Sequence, residues 1–220
     1  MKKILILDVD FDNGINNSAL MLKRILKKSK VDIFRVCKNS FPKNLDYDGF
    51  IINGSEASVN DNKLWIKKLE NIIKQIYKMK KPLLGICFGH EIIVKSLNGK
   101  ISYSNINKAG YNKFYLTKQG QKDKLFKGIP NKFICLESHF DKVSQLPKNS
   151  IILAKNKQGI QAFKLGKIRG IQFHPEINPT NLSLALILVE KKKEAIKLVK
   201  EAKKYGSPVV KIITNFEEMV

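Results

Sequence analysis

The chain has 220 residues, of which 43% are hydrophobic, so it is long enough to bury the core of one large domain. No apolar run approaches the roughly 18 residues of a membrane span, and Asp8 interrupts the first run too early for a signal peptide, so we expect a soluble, cytoplasmic protein without membrane contact. The formal net charge is +22, but only three of the 41 basic residues are arginine, the residue that binds phosphates and bases bidentately, which argues against a nucleic-acid partner.

The first half of the chain alternates apolar runs with segments of helical periodicity. The runs that predict buried strands are KILILDV (3–9), VDIFRV (31–36), DGFIING (48–54) and PLLGI (82–86). Helices are predicted after a cap at Ser18, over residues 64–76 and over residues 90–97. This alternation predicts an α/β fold with a doubly wound, mostly parallel, flavodoxin-like sheet, whose site lies at the carboxyl ends of the strands.

The second half of the chain has a different pattern, with short apolar runs separated by Gly, Pro and Asn. These runs are KFYLT (113–117), KFICLES (132–138), SIILAKN (150–156), IQAFKLG (160–166) and IRGIQFH (168–174). Runs of this length and spacing predict antiparallel strands that are added to the same sheet.

The end of the chain is rich in lysine. We predict a long helix from about Asn181 to Tyr205, broken by Gly206, and then a short strand, VVKIIT (209–214). Residues 1–178 are expected to form one domain, and residues 179–220 a C-terminal helix and tail packed on that domain.

Metal and disulfide chemistry are not indicated. The cysteines are odd in number and lack a C-x-x-C spacing, and the histidines do not pair with them at metal-ligand intervals. We therefore expect no metal and no cofactor.

Cys87 is the residue most open to interpretation as a nucleophile. The stretch GICFG (85–89) sets it between two glycines at a predicted turn from strand to helix, like the serine in the G-x-S-x-G elbow of α/β-hydrolases. We expect the glycines to permit a sharp turn, and the helix N-terminus to favour a thiolate. Because unpaired cysteine is also a common core residue, the motif alone is compatible with packing.

A base for this thiol is offered by QFHPE (172–176), at the end of another predicted strand. Alternate residues of an extended chain point the same way, so Glu176 could orient and stabilise the ring of His174. Cys87, His174 and Glu176 then form a complete set of nucleophile, base and orienting carboxylate.

GICFGHE followed by QFHPE resembles the class I glutamine amidotransferase family over residues 3–178. The resemblance implies that Cys87 attacks the side-chain amide of glutamine to form a γ-glutamyl thioester, while His174 passes the thiol proton to the departing ammonia. It also implies an oxyanion hole formed by backbone N–H groups of Gly54, Ser55 and Phe88.

In relatives, the substrate meets the positions of residue 91 and of the pair Ser138 and His139. The family usually has Gln where this chain has Glu91. A carboxylate there could attract the α-ammonium group of the substrate, and it would repel a nearby α-carboxylate.

Two branches of the family are resembled by different parts of the chain. Residues 125–177 are most similar to the glutaminase component of GMP synthase, an enzyme of purine biosynthesis. The stretch IINGSEASVNDNKLW (51–65) is more similar to stand-alone amidotransferase-like proteins, including γ-glutamyl peptidases.

Three functions remain open at this point. The first is a glutaminase that delivers ammonia to a separate ATP-dependent synthetase, since the chain has neither an S-G-G-x-D-S nor a G-x-x-x-x-G-K-[ST] phosphate loop. The second is a γ-glutamyl peptidase with the same triad and a peptide-like substrate. The third is a non-catalytic binding or regulatory protein on this fold.

Overall fold

The computed structural model describes residues 1–12, 14, 17–103, 110–177, 192, 193, 196, 197, 199, 200 and 208–220. Within these residues, nine strands form one sheet in the order β2-β1-β3-β4-β11-β10-β9-β6-β7, and β5 and β8 pair in a second, small sheet. The strands are β1 (Lys3–Asp8), β2 (Lys30–Arg35), β3 (Gly49–Ile52), β4 (Leu83–Ile86), β5 (Lys100–Ser102), β6 (Gly110–Leu116), β7 (Lys132–Glu137), β8 (Lys142–Gln145), β9 (Ile151–Asn156), β10 (Gly159–Leu165) and β11 (Ile168–Ile171).

The large sheet has a parallel half and an antiparallel half. Strands β2, β1, β3, β4 and β11 are parallel, and the order β2-β1-β3-β4 is that of flavodoxin-like sheets. Beyond β11, the strands β10, β9, β6 and β7 pair antiparallel. The first half confirms the predicted doubly wound sheet, and the second confirms the added strands.

Helices cover both faces of the parallel half, which explains its continuous apolar runs. They are α1 (Ser18–Ile25), α2 (Leu64–Lys78), α3 (Phe88–Ser96) and α5 (Lys211–Met219). The short α4 (Lys118–Lys122) lies instead against β9 and β6 of the antiparallel half. In β1, Ile4 and Ile6 face the core beneath α1 and α5, whereas Leu5 and Leu7 face the core beneath α2 and α3. Because both faces of the sheet are covered, the side chains on both faces of β1, β3 and β4 are mostly apolar, and these strands do not alternate apolar with polar residues. No helix in the described parts of the chain is long and apolar enough to span a membrane.

The start of α1 differs from the prediction by one residue. Asn17 is the N-cap, and its side-chain oxygen accepts a hydrogen bond from the Leu20 N–H at 3.0 Å. Ser18 is the first helical residue instead, and its hydroxyl donates to Asp10 at 3.1 Å. Ser and Asn are equally good caps, so the residue types alone did not distinguish the two positions.

The prediction of a strand over VVKIIT is wrong. Pro208–Val210 form a short 3₁₀ turn that leads into α5. Ile212, Ile213 and Phe216 are fully buried in the core shared with α1, at the spacing of one helix face. Packing of this face overrides the strand preference of the β-branched residues. The predicted helix from Asn181 to Tyr205 lies mostly outside the described residues.

The last helix is also held by polar contacts. The Asn215 amide donates to the carbonyl oxygens of Leu125 and Lys127, both at 2.9 Å, and the Glu217 carboxylate accepts from the Lys28 N–H at 2.8 Å. These contacts join α5 to two distant segments of the fold.

Candidate active site

The parallel strands β3, β4 and β11 end at the same edge of the sheet. In the register of β4 and β11, Gly85 lies beside Gly170 and Ile86 beside Ile171, so the next residues, Cys87 and Gln172, are neighbours. The Cys87 N–H donates to the Ile171 carbonyl at 2.9 Å, which continues this pairing by one residue. Residues that are far apart in the chain therefore meet at one point.

Cys87 has a strained backbone, with φ 52° and ψ −105° at the junction of β4 and α3. A non-glycine residue in this region costs about 1–3 kcal/mol, and such strain is common at functional sites. Gly85 and Gly89 do not adopt positive φ. A Cβ on Gly85 would collide with the Gly89 carbonyl, and one on Gly89 would collide with the Ile52 carbonyl. The glycines are thus required by the close packing of α3 on the sheet, and the turn itself is made by the cysteine.

His174 lies beside Cys87, and both its ring and its backbone are fixed by hydrogen bonds. Its Nδ1 is 2.9 Å from Glu176 Oε1, and its backbone N–H donates to the Leu136 carbonyl at 2.9 Å. The Cys87 thiol and the His174 ring lie close enough for each to shift the pKa of the other. Because Nδ1 is bound to Glu176, Nε2 is the ring nitrogen available to Cys87. The structure thus brings the three predicted residues into one chain of contacts.

Burial and charge act in opposite directions on this pair. Burial raises the pKa of the Cys87 thiol, and the charge of His174 and the hydrogen bond to it partly offset that rise. For His174, burial alone would lower the pKa, but the charges of Cys87 and Glu176 and the hydrogen bonds with both raise it well above its usual value. The arrangement suits a base that takes the thiol proton and is stabilised once it is charged.

The turn after β3 lies against both Cys87 and His174. A Cβ on Gly54 would be 2.9 Å from His174 Cε1 and 3.7 Å from Cys87 Cβ. The turn is anchored by Asn53. Its side-chain amide donates to Asp8 at 2.7 Å, and its backbone carbonyl accepts from the Gly89 N–H at 3.2 Å.

The backbone donors predicted for the oxyanion hole are free within the described part of the chain. No hydrogen bond from the N–H of Gly54, Ser55 or Phe88 is seen there. Phe88 is the first residue of α3, so its N–H has no partner within that helix. The absence of partners in the described residues is compatible with the predicted oxyanion hole, which stays a prediction.

Glu91 lies one helical turn after Cys87, is 4% exposed and accepts a hydrogen bond from Gln172 Nε2 at 2.8 Å. Burial raises the pKa of its carboxyl to about 8; the bond from Gln172 acts against this rise and the nearby Asp141 adds to it. Gln172 is absent from the sequence predictions, although it is part of QFHPE. The alternation that relates His174 to Glu176 extends back to residue 172 and could have identified it.

Ser138 and His139 contribute to this region in different ways. The Ser138 carbonyl lies 3.6 Å from Cys87 Sγ and accepts from the thiol. The buried His139 ring is held by the Asp141 carbonyl at 2.7 Å and lies 3.6 Å from Glu137. Among the described contacts, none joins the His139 ring to Cys87, so its contact with substrate stays a prediction. No cluster of metal-ligating side chains is found in the described segments.

Comparisons with known proteins identify relatives of this chain. The family model "Glutamine amidotransferase class-I" matches residues 9–190. The chain is 36% identical over 137 residues to a glutamine-hydrolyzing GMP synthase of Borreliella burgdorferi, a match that covers 61% of this chain and 25% of that protein. It is 34% identical over 156 residues to gamma-glutamyl peptidase 3 of Arabidopsis thaliana, covering 67% and 63%.

A shorter relative is matched over most of its length. This relative, one of the subunits of the glutamine-hydrolyzing GMP synthase of Pyrococcus abyssi, is 34% identical over 141 residues, which is 63% of this chain and 71% of the relative. The chain thus spans a quarter of the spirochaete synthase and less than two thirds of the plant peptidase.

Two solved structures resemble the fold over nearly its whole length. A glutamine amidotransferase of Thermotoga maritima has a TM-score of 0.83 at 19% identity, covering 99% of this chain and 97% of that one. A glutamine amidotransferase of Methylobacillus flagellatus has a TM-score of 0.79 at 15% identity, covering 100% and 96%. These likenesses confirm the predicted fold.

Proposed function

The chain belongs to the class I glutamine amidotransferase family, and from this premise we propose that it is a glutaminase with Cys87 as its nucleophile. The observation that carries the proposal is the contact chain from Cys87 through His174 to Glu176, with 2.9 Å between the last two side chains. A packing cysteine needs neither the strained backbone nor a paired base.

The proposed reaction begins when Cys87 Sγ attacks the γ-carbonyl carbon of L-glutamine and His174 takes the thiol proton. The carbonyl oxygen becomes an oxyanion, which the N–H groups of Gly54, Ser55 and Phe88 stabilise. His174 then gives the proton to the leaving nitrogen, ammonia departs, and a γ-glutamyl thioester remains on Cys87. Water hydrolyses this thioester to glutamate, with His174 again as the base.

We propose further that the ammonia passes to a separate ATP-dependent synthetase. This part is supported by the similarity to the Pyrococcus abyssi protein, whose name assigns it to a GMP synthase made of more than one polypeptide. Purine biosynthesis is the setting that this relationship suggests.

Glu91 favours a second candidate, a γ-glutamyl peptidase with the same triad. The 34% identity to gamma-glutamyl peptidase 3 covers more of this chain than the synthase match does. A carboxyl in place of the usual Gln changes the polar groups offered to a substrate while leaving the nucleophile in place. A γ-glutamyl peptide would then be cleaved through the same thioester.

The deciding experiment measures ammonia release from glutamine by the purified protein, alone and with an ATP-dependent synthetase, beside release of amino acids from γ-glutamyl dipeptides. Cys87→Ala should abolish turnover, whereas Cys37→Ala, which removes another buried free thiol, should retain it. Turnover that survives Cys87→Ala contradicts the triad. Activity on dipeptides but not on glutamine selects the peptidase. No turnover, together with no labelling of Cys87 by a glutamine-like diazo-ketone, selects a non-catalytic role.

A further inference from the structure

A buried amide and a buried carboxyl lie behind the sulfur of Cys87. Gln172 Nε2 is 3.9 Å from Cys87 Sγ and 2.8 Å from Glu91 Oε1. We propose that Gln172 is a positioning residue that donates an N–H to the Cys87 sulfur, and that Glu91 acts on the sulfur through Gln172 by fixing its amide. The inference rests on the proposed role of Cys87 as nucleophile.

The donor count of the amide supports this arrangement. Nε2 carries two hydrogens, and its two polar neighbours are a carboxyl oxygen and a sulfur, so one N–H serves each. The three residues are 1–5% exposed, which leaves little access for water to replace either bond. A buried amide that lost its 2.8 Å acceptor would have no reason to keep the orientation that faces the sulfur.

The backbone restricts where the Gln172 side chain can go. Its N–H donates to the Gln161 carbonyl at 2.9 Å, and the preceding carbonyl, of Ile171, accepts from Cys87 at 2.9 Å. The amide is therefore presented to Cys87 by the pairing of β4 with β11.

The contacts of the sulfur explain what the amide would do. The Ser138 carbonyl at 3.6 Å accepts from the neutral thiol, whereas Gln172 and His174 can donate to a thiolate. A thiolate excluded from water needs such donors, since each one replaces a lost hydrogen bond to solvent. Gln172 thus favours the charged form that attacks the substrate.

Other charged groups face the same pair from several elements. His174 favours the thiolate, and Glu91 and Glu176 disfavour it when they are ionised. Asp141, at the loop before β8, faces Glu91. With its pKa near 8, Glu91 is mostly neutral at neutral pH and orients the amide without placing a full charge beside the sulfur. The Gln that is usual in the family could orient the amide too, but it could not add charge at high pH.

The test follows alkylation of Cys87 by iodoacetamide, located by mass spectrometry, as a function of pH. Gln172→Met keeps the length of the side chain and removes the donor. We expect alkylation to slow about tenfold near neutral pH, and the pH of half-maximal rate to rise by about one unit, since one pKa unit is a factor of ten. Gln161→Met is the matched control on the neighbouring strand, and its rate should stay within about twofold of wild type.

The role of Glu91 is tested by a double-mutant cycle. Glu91→Met removes the acceptor that orients the Gln172 amide. Because the amide would then face the sulfur only part of the time, alkylation of Cys87 should slow several-fold. If Glu91 acts through Gln172, the variant with both changes should be no slower than Gln172→Met alone. Multiplicative losses would show that Glu91 acts on the sulfur by another path and would overturn that half of the proposal.

A loss of reactivity caused by misfolding must be distinguished from the loss of the Gln172 donor. Near-ultraviolet circular dichroism and thermal unfolding identify variants that keep the native structure. Gln172→Asn, which withdraws the amide by one methylene group, is a second way to remove the donor and should resemble Gln172→Met. A wild-type pH profile in either folded variant refutes the role of Gln172.

Glu91→Gln keeps the acceptor without the charge and should alkylate faster than wild type above about pH 8, where Glu91 ionises. An unchanged pH profile would count against the proposed action of Glu91 through Gln172. Alkylation needs no glutamine, so failure of the glutaminase assay leaves this result readable.

Discussion

Gly54→Ala should separate activity from stability. The added methyl would lie 2.9 Å from His174 Cε1, whereas ordinary van der Waals contacts begin at 3.4 Å, so the ring must move by about 0.5 Å or more. The ring is also held by the 2.9 Å contact between its Nδ1 and Glu176 Oε1. The displacement must therefore tilt the imidazole relative to Cys87.

The expected magnitude follows from how steeply rate depends on alignment. A misplacement of about 1 Å can cost a hundredfold, so a shift of half that size should lower kcat for ammonia release by about tenfold to a hundredfold. Gly54 has no positive φ, so alanine brings no backbone strain and reduces the entropy of the unfolded chain by the equivalent of about 0.4–1 kcal/mol. The Tm should consequently change by only a few degrees.

The assay compares kcat, KM and Tm for wild type, Gly54→Ala and Glu56→Ala. Glu56 is an exposed residue of the same loop, and its variant controls for effects of altering that loop. Alkylation of Cys87 measured in parallel reports the geometry of the pair without any substrate. Wild-type kcat and wild-type alkylation in Gly54→Ala would refute the inference that this glycine is needed to keep the His174 ring against Cys87.

Three further predictions concern charge and packing. Glu176→Gln removes a charge that raises the pKa of His174, so nuclear magnetic resonance titration should find that pKa lower than in wild type, and an unchanged value would contradict the assignment. The pKa of Glu91 is raised to about 8 in the folded state. At pH values between the ordinary pKa of a glutamate and about 8, the folded protein therefore binds more protons than the unfolded chain. Relative to Glu91→Gln, the free energy of unfolding of wild type from urea titrations should thus fall with rising pH in this window, by up to about 1.4 kcal/mol per pH unit. The same pH dependence in both proteins would contradict the raised pKa of Glu91. Phe216→Ala in α5 should lower the free energy of unfolding by about 3–5 kcal/mol, and a loss below about 1 kcal/mol would show that α5 adds little to the core.

The order of elements in the parallel half could be predicted because each strand there is buried on both faces. KILILDV and PLLGI are continuous apolar runs for that reason, and the helical segments between them fit only a few topologies. The C-terminal segment could not be predicted in the same way. VVKIIT has local strand preference, and only the core that receives Ile212 and Phe216 decides that it is helical.

The candidate site shows a similar division. Cys87, His174 and Glu176 were identifiable because each side chain type has a chemical role and a recognisable spacing. Gln172 was not, because an amide has no reactive role of its own and acquires one only through the register of two strands 85 residues apart, Leu83 beside Ile168. The role of the glycines was also hidden, since a collision with the Ile52 carbonyl is a property of the packed fold.

The pairing of β4 with β11 also determines when the site can exist. His174 follows Cys87 by 87 positions in the sequence, so a ribosome adding 5–20 residues per second synthesises the base about 4–17 s after the nucleophile. During that interval the chain contains the cysteine and the glycines but not the strand that brings the imidazole and the Gln172 amide. The nascent chain thus carries the thiol without these neighbours, and its contacts with His174 and Gln172 form only when β11 closes against β4, after most of the described fold has been translated.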